Sequence, residues 1–545
     1  MLQIRCAAFL AVLLPLSGAA APHQAPVAPQ TFTIGGTAVE HGSNRPLKDA
    51  VVTVAPVQHP ELPLSYRTGE DGRFVFTALQ PGKYTLTAKK RGFPPQSFQQ
   101  NQNYSTAIAV GPGLDSPDIV FPLFAGGSIT GTILDEENEP VRQAQILLFS
   151  KGVFSGTAKI TMRGQLRTDS SGQFRFPSLE AGTYFVAVEA RPWYAQSYPM
   201  QPQVPGAEPT SARGELDVVY PVTYYAGATD PASASALTIT EGSSSNLQIV
   251  LRPVPALHVQ VSGLHAPEGR PLGMTVSQVV PGGYPVFSNS QFGCNGDSCE
   301  ISGIAPSRYV VSPFTYGPGN SENNASGIFD LTTDQHLDIS AFHKMSLTGK
   351  ITFEGSTAPP HPALSLFQPG GWMQSQISAA PDGALTLTNG ALLPGRYQLM
   401  LQNAPGFFIK SVEAKGATVS AGQLDVADAG SVQLSLVAAP GSISIDGIAL
   451  KDEKPFGGAM VLLIPKDFRT DLIRRDQSDS DGTFTLPDVP PGRYTLVAID
   501  EGRELLYQDP AAMKPYLSQG KEVLVPLQSA APIKVNVAAR LAHSN

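Results

Sequence analysis

Charge is scarce in this chain. Of 545 residues 15% are charged, the net charge is −8, and the basic residues are scattered rather than clustered. Such a chain offers no phosphate-tracking surface, so nucleic acid is not an expected partner. Cysteine is nearly absent, with three residues, and there are two tryptophans. No long amphipathic helical pattern occurs, which removes α/β enzyme folds. Beyond the amino terminus no apolar run approaches the roughly 20 residues of a membrane helix, so no transmembrane segment is expected in the mature chain.

What the chain does have is turn chemistry, with 52 glycines and 49 prolines alongside 42% apolar residues. That total stays below the roughly 25–30% of Pro and Gly that signals disorder, and points to many short strands. At the amino terminus, Met1–Arg5 carries one positive charge, Cys6 to Leu16 is apolar, and Ser17–Ala21 is a small-residue stretch. This is the pattern of a signal peptide over residues 1–21, so the mature chain is expected to be exported to the periplasm or the extracellular space. Residues 22–30 read as a flexible leader. Processing leaves Cys294 and Cys299, separated by Asn295-Gly296-Asp297-Ser298. In an oxidising compartment these two are expected to form a local disulfide, because a metal site would need more ligands nearby.

The chain is organised around one stretch, Gly72 to Tyr84, which returns as Gly172–Tyr184 and Gly482–Tyr494. In the first copy Asp71-Gly72 supplies the positive φ of a tight hairpin turn, Phe74 and Phe76 point to one face, and Pro81-Gly82 turns the chain back so that Tyr84 rejoins the core. A marker glycine lies upstream of each core tyrosine: Gly36 before Tyr84, Gly131 before Tyr184, Gly263 before Tyr309, Gly349 before Tyr397 and Gly447 before Tyr494. Near-constant spacing over five copies is an internal repeat. The third copy is the most eroded, with Cys299 standing at the first Phe position. The expected fold is all-β: a tandem array of about five small β-sandwiches over residues 31–124, 125–253, 254–341, 342–440 and 441–545. Each is large enough for one modest core and too small for an enzyme-sized one.

The marker glycine, the Pro-x-x-x-Ala lead-ins (Pro46 to Ala50, Pro140 to Ala144), the Asp-Gly-x-Phe turn and the Pro-Gly-x-Tyr return together resemble the carboxypeptidase regulatory-like domains. The resemblance implies transthyretin-like, seven-strand Greek-key β-sandwiches related to the B-type repeats of collagen-binding surface proteins and to starch-binding-like folds. It implies a non-catalytic module of extracytoplasmic bacterial proteins, acting as spacer, adhesive or glycan-contacting unit. The family name invites a zinc peptidase reading, and His265-Ala266-Pro267-Glu268 has the short His-x-x-Glu form. It sits in a Gly/Pro-rich connection without a catalytic domain around it, so a loop is expected. Asp479, Asp481, Gly482 and Asp488 mimic part of a calcium loop, but Gln477 stands at its first position and flanking helices are missing. Lys350 is the one lysine next to a marker glycine, which disfavours a general Lys–Asn cross-link. No cofactor, metal or catalytic residue is expected.

If the array contacts a ligand, the excursion after the second core is the place. Trp193, Tyr194 and Tyr198, and later Tyr224 and Tyr225, have the apolar bodies and polar tips that stack on sugars. The competing expectation, favoured here, is that these rings pack the connection against its own sandwich or the next. The function expected is that of an envelope-associated structural or interaction protein, with polysaccharide or other cell-envelope components as partners; carbohydrate binding is the alternative and a zinc carboxypeptidase the remote one.

Overall fold

A computed structural model describes residues 30–542 apart from 115, 197–213, 264–271, 284, 289, 296–297, 316–326, 339–345, 356–358, 368–373, 390–393, 428–430, 442 and 528–530. The proposed signal peptide, His265 and Glu268 therefore lie outside the described residues. Among those described there is a single α-helix, Pro510–Leu517, and no helix long and apolar enough to cross a membrane. The fold is a tandem array of β-sandwiches; among the described residues five apolar cores follow one another along the chain, and two further clusters lie on outer sheet faces of the fifth and second sandwiches.

Each unit is built on its first strand. In the first, Phe32–Glu40 lies between the antiparallel strand Arg73–Leu79 and the parallel closing strand Ser116–Leu123. The same trio recurs around Gly127–Leu134, Leu257–Ser262, Ser346–Phe353 and Ile443–Lys451. Alternation does the work: Phe74 and Phe76 are buried while Arg73 and Val75 between them face out.

The marker glycine now has a physical reason. Gly36 is paired with Phe74 on one side and Ile119 on the other, and a Cβ there would sit 2.1 Å from the Ile119 carbonyl oxygen and 2.9 Å from the Phe74 ring. Gly131, Gly349 and Gly447 are likewise crowded by the carbonyl oxygens of Leu247, Leu434 and Val535, at 2.7, 2.2 and 1.8 Å from such a Cβ. In the third unit the register corrects the sequence reading. The residue opposite Cys299 is Val261, whereas Gly263 lies past the strand at φ 78°. Small and large have exchanged places across the pair: Gly faces Phe in the first, second and fifth copies, and Val faces Cys here, so the filled volume is kept.

The turns also differ from expectation. In the first copy the strand Leu64–Arg67 belongs to one sheet and Arg73–Leu79 to the other, and Gly82–Lys90 returns to the first sheet. Asp71-Gly72 and Pro81-Gly82 are therefore arches that carry the chain across the sandwich, not hairpins. Gly72 does take the positive φ, 68°, with the Ala38 carbonyl oxygen 2.6 Å from where a Cβ would be. In the third and fourth copies the equivalent strands do pair, Gln291–Asn295 with Ser298–Ile304 and Gln374–Ala379 with Ala384–Asn389.

The core tyrosine ties the second arch. Tyr84, Tyr184, Tyr309 and Tyr494 each donate a hydrogen bond to the carbonyl four residues back, at 3.0, 2.8, 2.8 and 2.9 Å. This is why the repeat keeps a hydroxyl on a buried ring. Tyr494→Phe leaves the Pro490 carbonyl without that donor, so hydrogen exchange of the strand Gly492–Asp500 should report a loss of about 1–2 kcal/mol.

The array does not run out in a line. The fifth sandwich docks on the first through residues about 370–400 positions apart in sequence. Its turn at Asp479-Ser480 caps the strand Ile108–Val110: Ser480 N donates to Ala107 O at 2.9 Å, Ala107 N to Asp479 Oδ1 at 3.0 Å and Ala109 N to Ser480 Oγ at 2.9 Å. Lys83 Nζ lies 2.5 Å from Asp479 Oδ2. Burial pushes the Asp479 carboxyl up, and Lys83 and the Ala107 amide pull against it. Beside the turn, Arg475 donates to Gln102 Oε1 at 2.9 Å and to Asn101 O at 3.1 Å, its guanidinium lying 4.4 Å from the centre of the Tyr104 ring. Gln508 N donates to Gly156 O, which brings the second sandwich into the same contact, and the Tyr507 ring closes on Gly156 so tightly that a Cβ would come within 2.6 Å. An edge strand that would otherwise offer bare N–H and C=O groups is thereby covered.

Candidate functional site

After the strand Gly182–Glu189 the chain leaves the second sandwich and makes one tight turn. Ala195 N donates to Pro192 O at 3.1 Å, Arg191 Nη2 donates to Ala195 O at 3.1 Å, and Gln196 N donates to Leu216 O at 2.8 Å. A further anchor is Glu136, in the turn that follows the strand Gly127–Leu134. Tyr194 donates its hydroxyl to Glu136 Oε1, and Tyr220 donates to Glu136 Oε2 at 2.7 Å. That turn is itself held by Asp135 Oδ1, which accepts from Glu137 N at 3.0 Å and Glu139 N at 2.8 Å.

The electrostatics follow from this wiring. Burial pushes Glu136 up, yet the hydrogen bonds from Tyr194, Tyr220 and its own backbone leave it below the usual carboxylate value. Burial and the Glu136 charge push the Tyr194 hydroxyl up to about 12, and the same two causes raise Tyr220 further. Both carboxylate oxygens are occupied by tyrosine hydroxyls, so Glu136 serves as an anchor and is not placed as a free acid or base.

On this braced turn stands Trp193, 88% exposed, its ring perpendicular to that of Tyr194 at 5.7 Å between centroids. A large apolar ring thus stands in water on a turn fixed from several sides, a geometry compatible with stacking on a flat ligand. Among the described residues no group of three or more His, Cys, Asp or Glu side chains is placed to hold a metal ion.

One family model, that of the carboxypeptidase regulatory-like domain, matches residues 33–113 and again residues 128–213. Residues 33–113 and 128–213 are thus similar to two successive carboxypeptidase regulatory-like domains. No curated protein matches the chain. Among solved structures it is similar to the Bacillus anthracis TIE protein, at 11% identity over 77% of this chain and 76% of that one, with a TM-score of 0.17. It is similar also to GBS52, the minor pilin of Streptococcus agalactiae, at 13% identity over 44% of this chain and 99% of that one, TM-score 0.22. A third is the shaft pilin SpaA of Lactobacillus rhamnosus GG, at 11% identity over 41% and 98%, TM-score 0.19.

The second sandwich thus holds Trp193, Tyr194 and Glu136 on one corner, and the remaining sequence candidates lie elsewhere. Tyr198 falls outside the described residues. Tyr224 leaves the candidate surface: its ring is 0% exposed, packed with Leu147, Phe149, Val280 and Val286 where the second and third sandwiches meet. Tyr225 packs against the core of its own domain. Cys294 and Cys299 face each other across paired strands and are joined as a disulfide, far from the aromatic corner in sequence and in a different sandwich. Sequence reasoning missed Glu136, the residue that holds two of the tyrosines. Its signal was only an acidic run, Asp135-Glu136-Glu137, which reads as solvated turn.

Proposed function

We propose that the protein is a non-catalytic, exported scaffold that presents Trp193 to polysaccharide of the cell envelope. The observation that carries this reading is the exposure of Trp193 on a turn braced by Arg191, Leu216 and Glu136. Flat sugar faces stack on such rings, and a turn whose backbone is already braced loses little entropy on contact. The regulatory-like family match supports a role without chemistry of its own.

The test is a pull-down of the mature protein on insoluble envelope polysaccharides and peptidoglycan, with wild type, Trp193→Ala and Trp193→Ala/Tyr194→Ala compared. Retention should fall about tenfold or more in the variants, in line with a stacking contact of about 1–3 kcal/mol. Trp193→Ala alone should leave thermal stability within about 0.5 kcal/mol, because the ring is outside the core. Absence of retention in the wild type, or equal retention by all three proteins, would refute the reading.

A further inference from the structure

The fifth sandwich alone carries an α-helix among the described residues, Pro510–Leu517, capped by Asp509 accepting from Ala511 N at 2.9 Å. Met513 and Tyr516 dock this helix on the outer face of the sheet, against Met460, Leu462, Val497 and Ile499. The chain leaves the helix through Gly520, where a Cβ would stand 2.4 Å from the Thr495 side chain and 2.7 Å from that of Val497. Only glycine lets it run so close to the sheet.

The strand that follows, Lys521–Val525, pairs with Gly492–Asp500 only from Gly492 to Leu496. The last strand, Ile533–Leu541, takes over the same partner from Ala498 to Asp500. At Val497 the sheet changes neighbours, and the two incoming strands diverge. Between them opens a cleft of about 330 Å³ with Val497, Ala498 and the buried Tyr516 as its apolar floor. Its rim carries Lys521, Asn536 and Arg540, with Lys521 Nζ donating to Asn536 O at 3.2 Å. That volume is at the lower end of small-molecule sites, which begin at about 300 Å³. In a chain of net charge −8, this cleft is lined by two cations and no carboxylate.

We propose that this cleft binds a small organic anion, a carboxylate with an apolar body. The floor takes the apolar part, and Lys521 and Arg540 take the charge at the rim, a charge-assisted contact that a neutral ligand of the same shape cannot make. The site is independent of Trp193 and needs no metal.

Saturation-transfer NMR on the full chain, with benzoate as probe and benzamide as its neutral counterpart, tests this. Benzoate should receive saturation from the wild type and bind about tenfold more tightly than benzamide, the difference one charge-assisted bond makes. Lys521→Gln/Arg540→Gln, both at exposed positions, should lower benzoate affinity about tenfold or more. Ala538→Trp, which fills the cleft from its exposed wall, should abolish the signal, and Trp193→Ala should leave it unchanged. No benzoate signal from the wild type, equal binding of benzamide, or full binding by the charge and filling variants would overturn the proposal.

Discussion

Replacing Gly447 by alanine should unfold the fifth sandwich, at a loss of at least about 4 kcal/mol. A single methyl is enough because there is no direction in which to move it. The new Cβ would lie 1.8 Å from the Val535 carbonyl oxygen and 2.5 Å from the Phe484 ring. The first obstacle is backbone held in a parallel ladder from Ile445↔Ile533 to Leu450↔Ala538, and the second is a ring 1% exposed in the middle of the core. Relief requires breaking the ladder or expelling Phe484, and each empties the core. Hydrogen exchange over the strands Ile443–Lys451 and Ile533–Leu541 reads the outcome. Protection should vanish there and persist in the strand Gly127–Leu134 of the second sandwich. Retained protection within about 1 kcal/mol of wild type would show that the glycine is not a steric requirement.

Glu189→Gln should stabilise the protein at alkaline pH and do nothing at acid pH. Glu189 lines a small cavity between the second and third sandwiches, and burial pushes its carboxyl up to about 7 against the opposing pull of Arg167. An acid whose folded value is raised binds its proton more tightly when folded. Its contribution is therefore complete below the unfolded value near 4.5 and is lost as pH rises through about 7. The gap between 4.5 and about 7 sets an upper limit of about 3.5 kcal/mol on what the charged carboxylate costs above that range. A neutral amide of the same shape removes the cost. Thermal unfolding at about pH 8 should show the variant more stable, and at about pH 4 the two proteins should coincide. A variant that is less stable at both pH values would mean that the side chain is held as a charged partner.

How much of this was legible in the sequence depended on whether the constraint sat within one repeat. The glycine and tyrosine recur at fixed spacing because a close strand approach and an arch-tying hydroxyl are local demands that several copies meet in the same way. Where a demand is met jointly by two strands, the single-residue pattern misleads. Val261 opposite Cys299 fills the volume of Gly opposite Phe, so the nearby Gly263 was mistaken for the marker. The arch at Asp71-Gly72 has the sequence of a hairpin because a glycine at positive φ serves both, and only sheet membership tells them apart.

Contacts between repeats were the least visible. Gln102, Arg475 and Ser480 are polar and look like solvated surface, yet they join the first sandwich to the fifth. Tyr224 looked available because the Val280 and Val286 side chains that cover it belong to the next sandwich. At the candidate site, Trp193 and Tyr194 were found by their chemistry, whereas the brace beneath them, Glu136, came from a turn 58 residues upstream of Tyr194.

The array doubles back and places the first, second and fifth sandwiches in mutual contact, which is the central claim about the fold. Amide hydrogen exchange at Ala107 and Ala109 tests it most directly, since both N–H groups point to the outer side of an edge strand and bond only to Asp479 and Ser480 of the fifth sandwich. In the wild type both amides should be as protected as those of the strand Gly82–Lys90, and Asp479→Ala/Ser480→Ala should release these two while leaving that strand protected. Rapid exchange at Ala107 and Ala109 in the wild type would contradict the closed arrangement and return the molecule to an open string of domains.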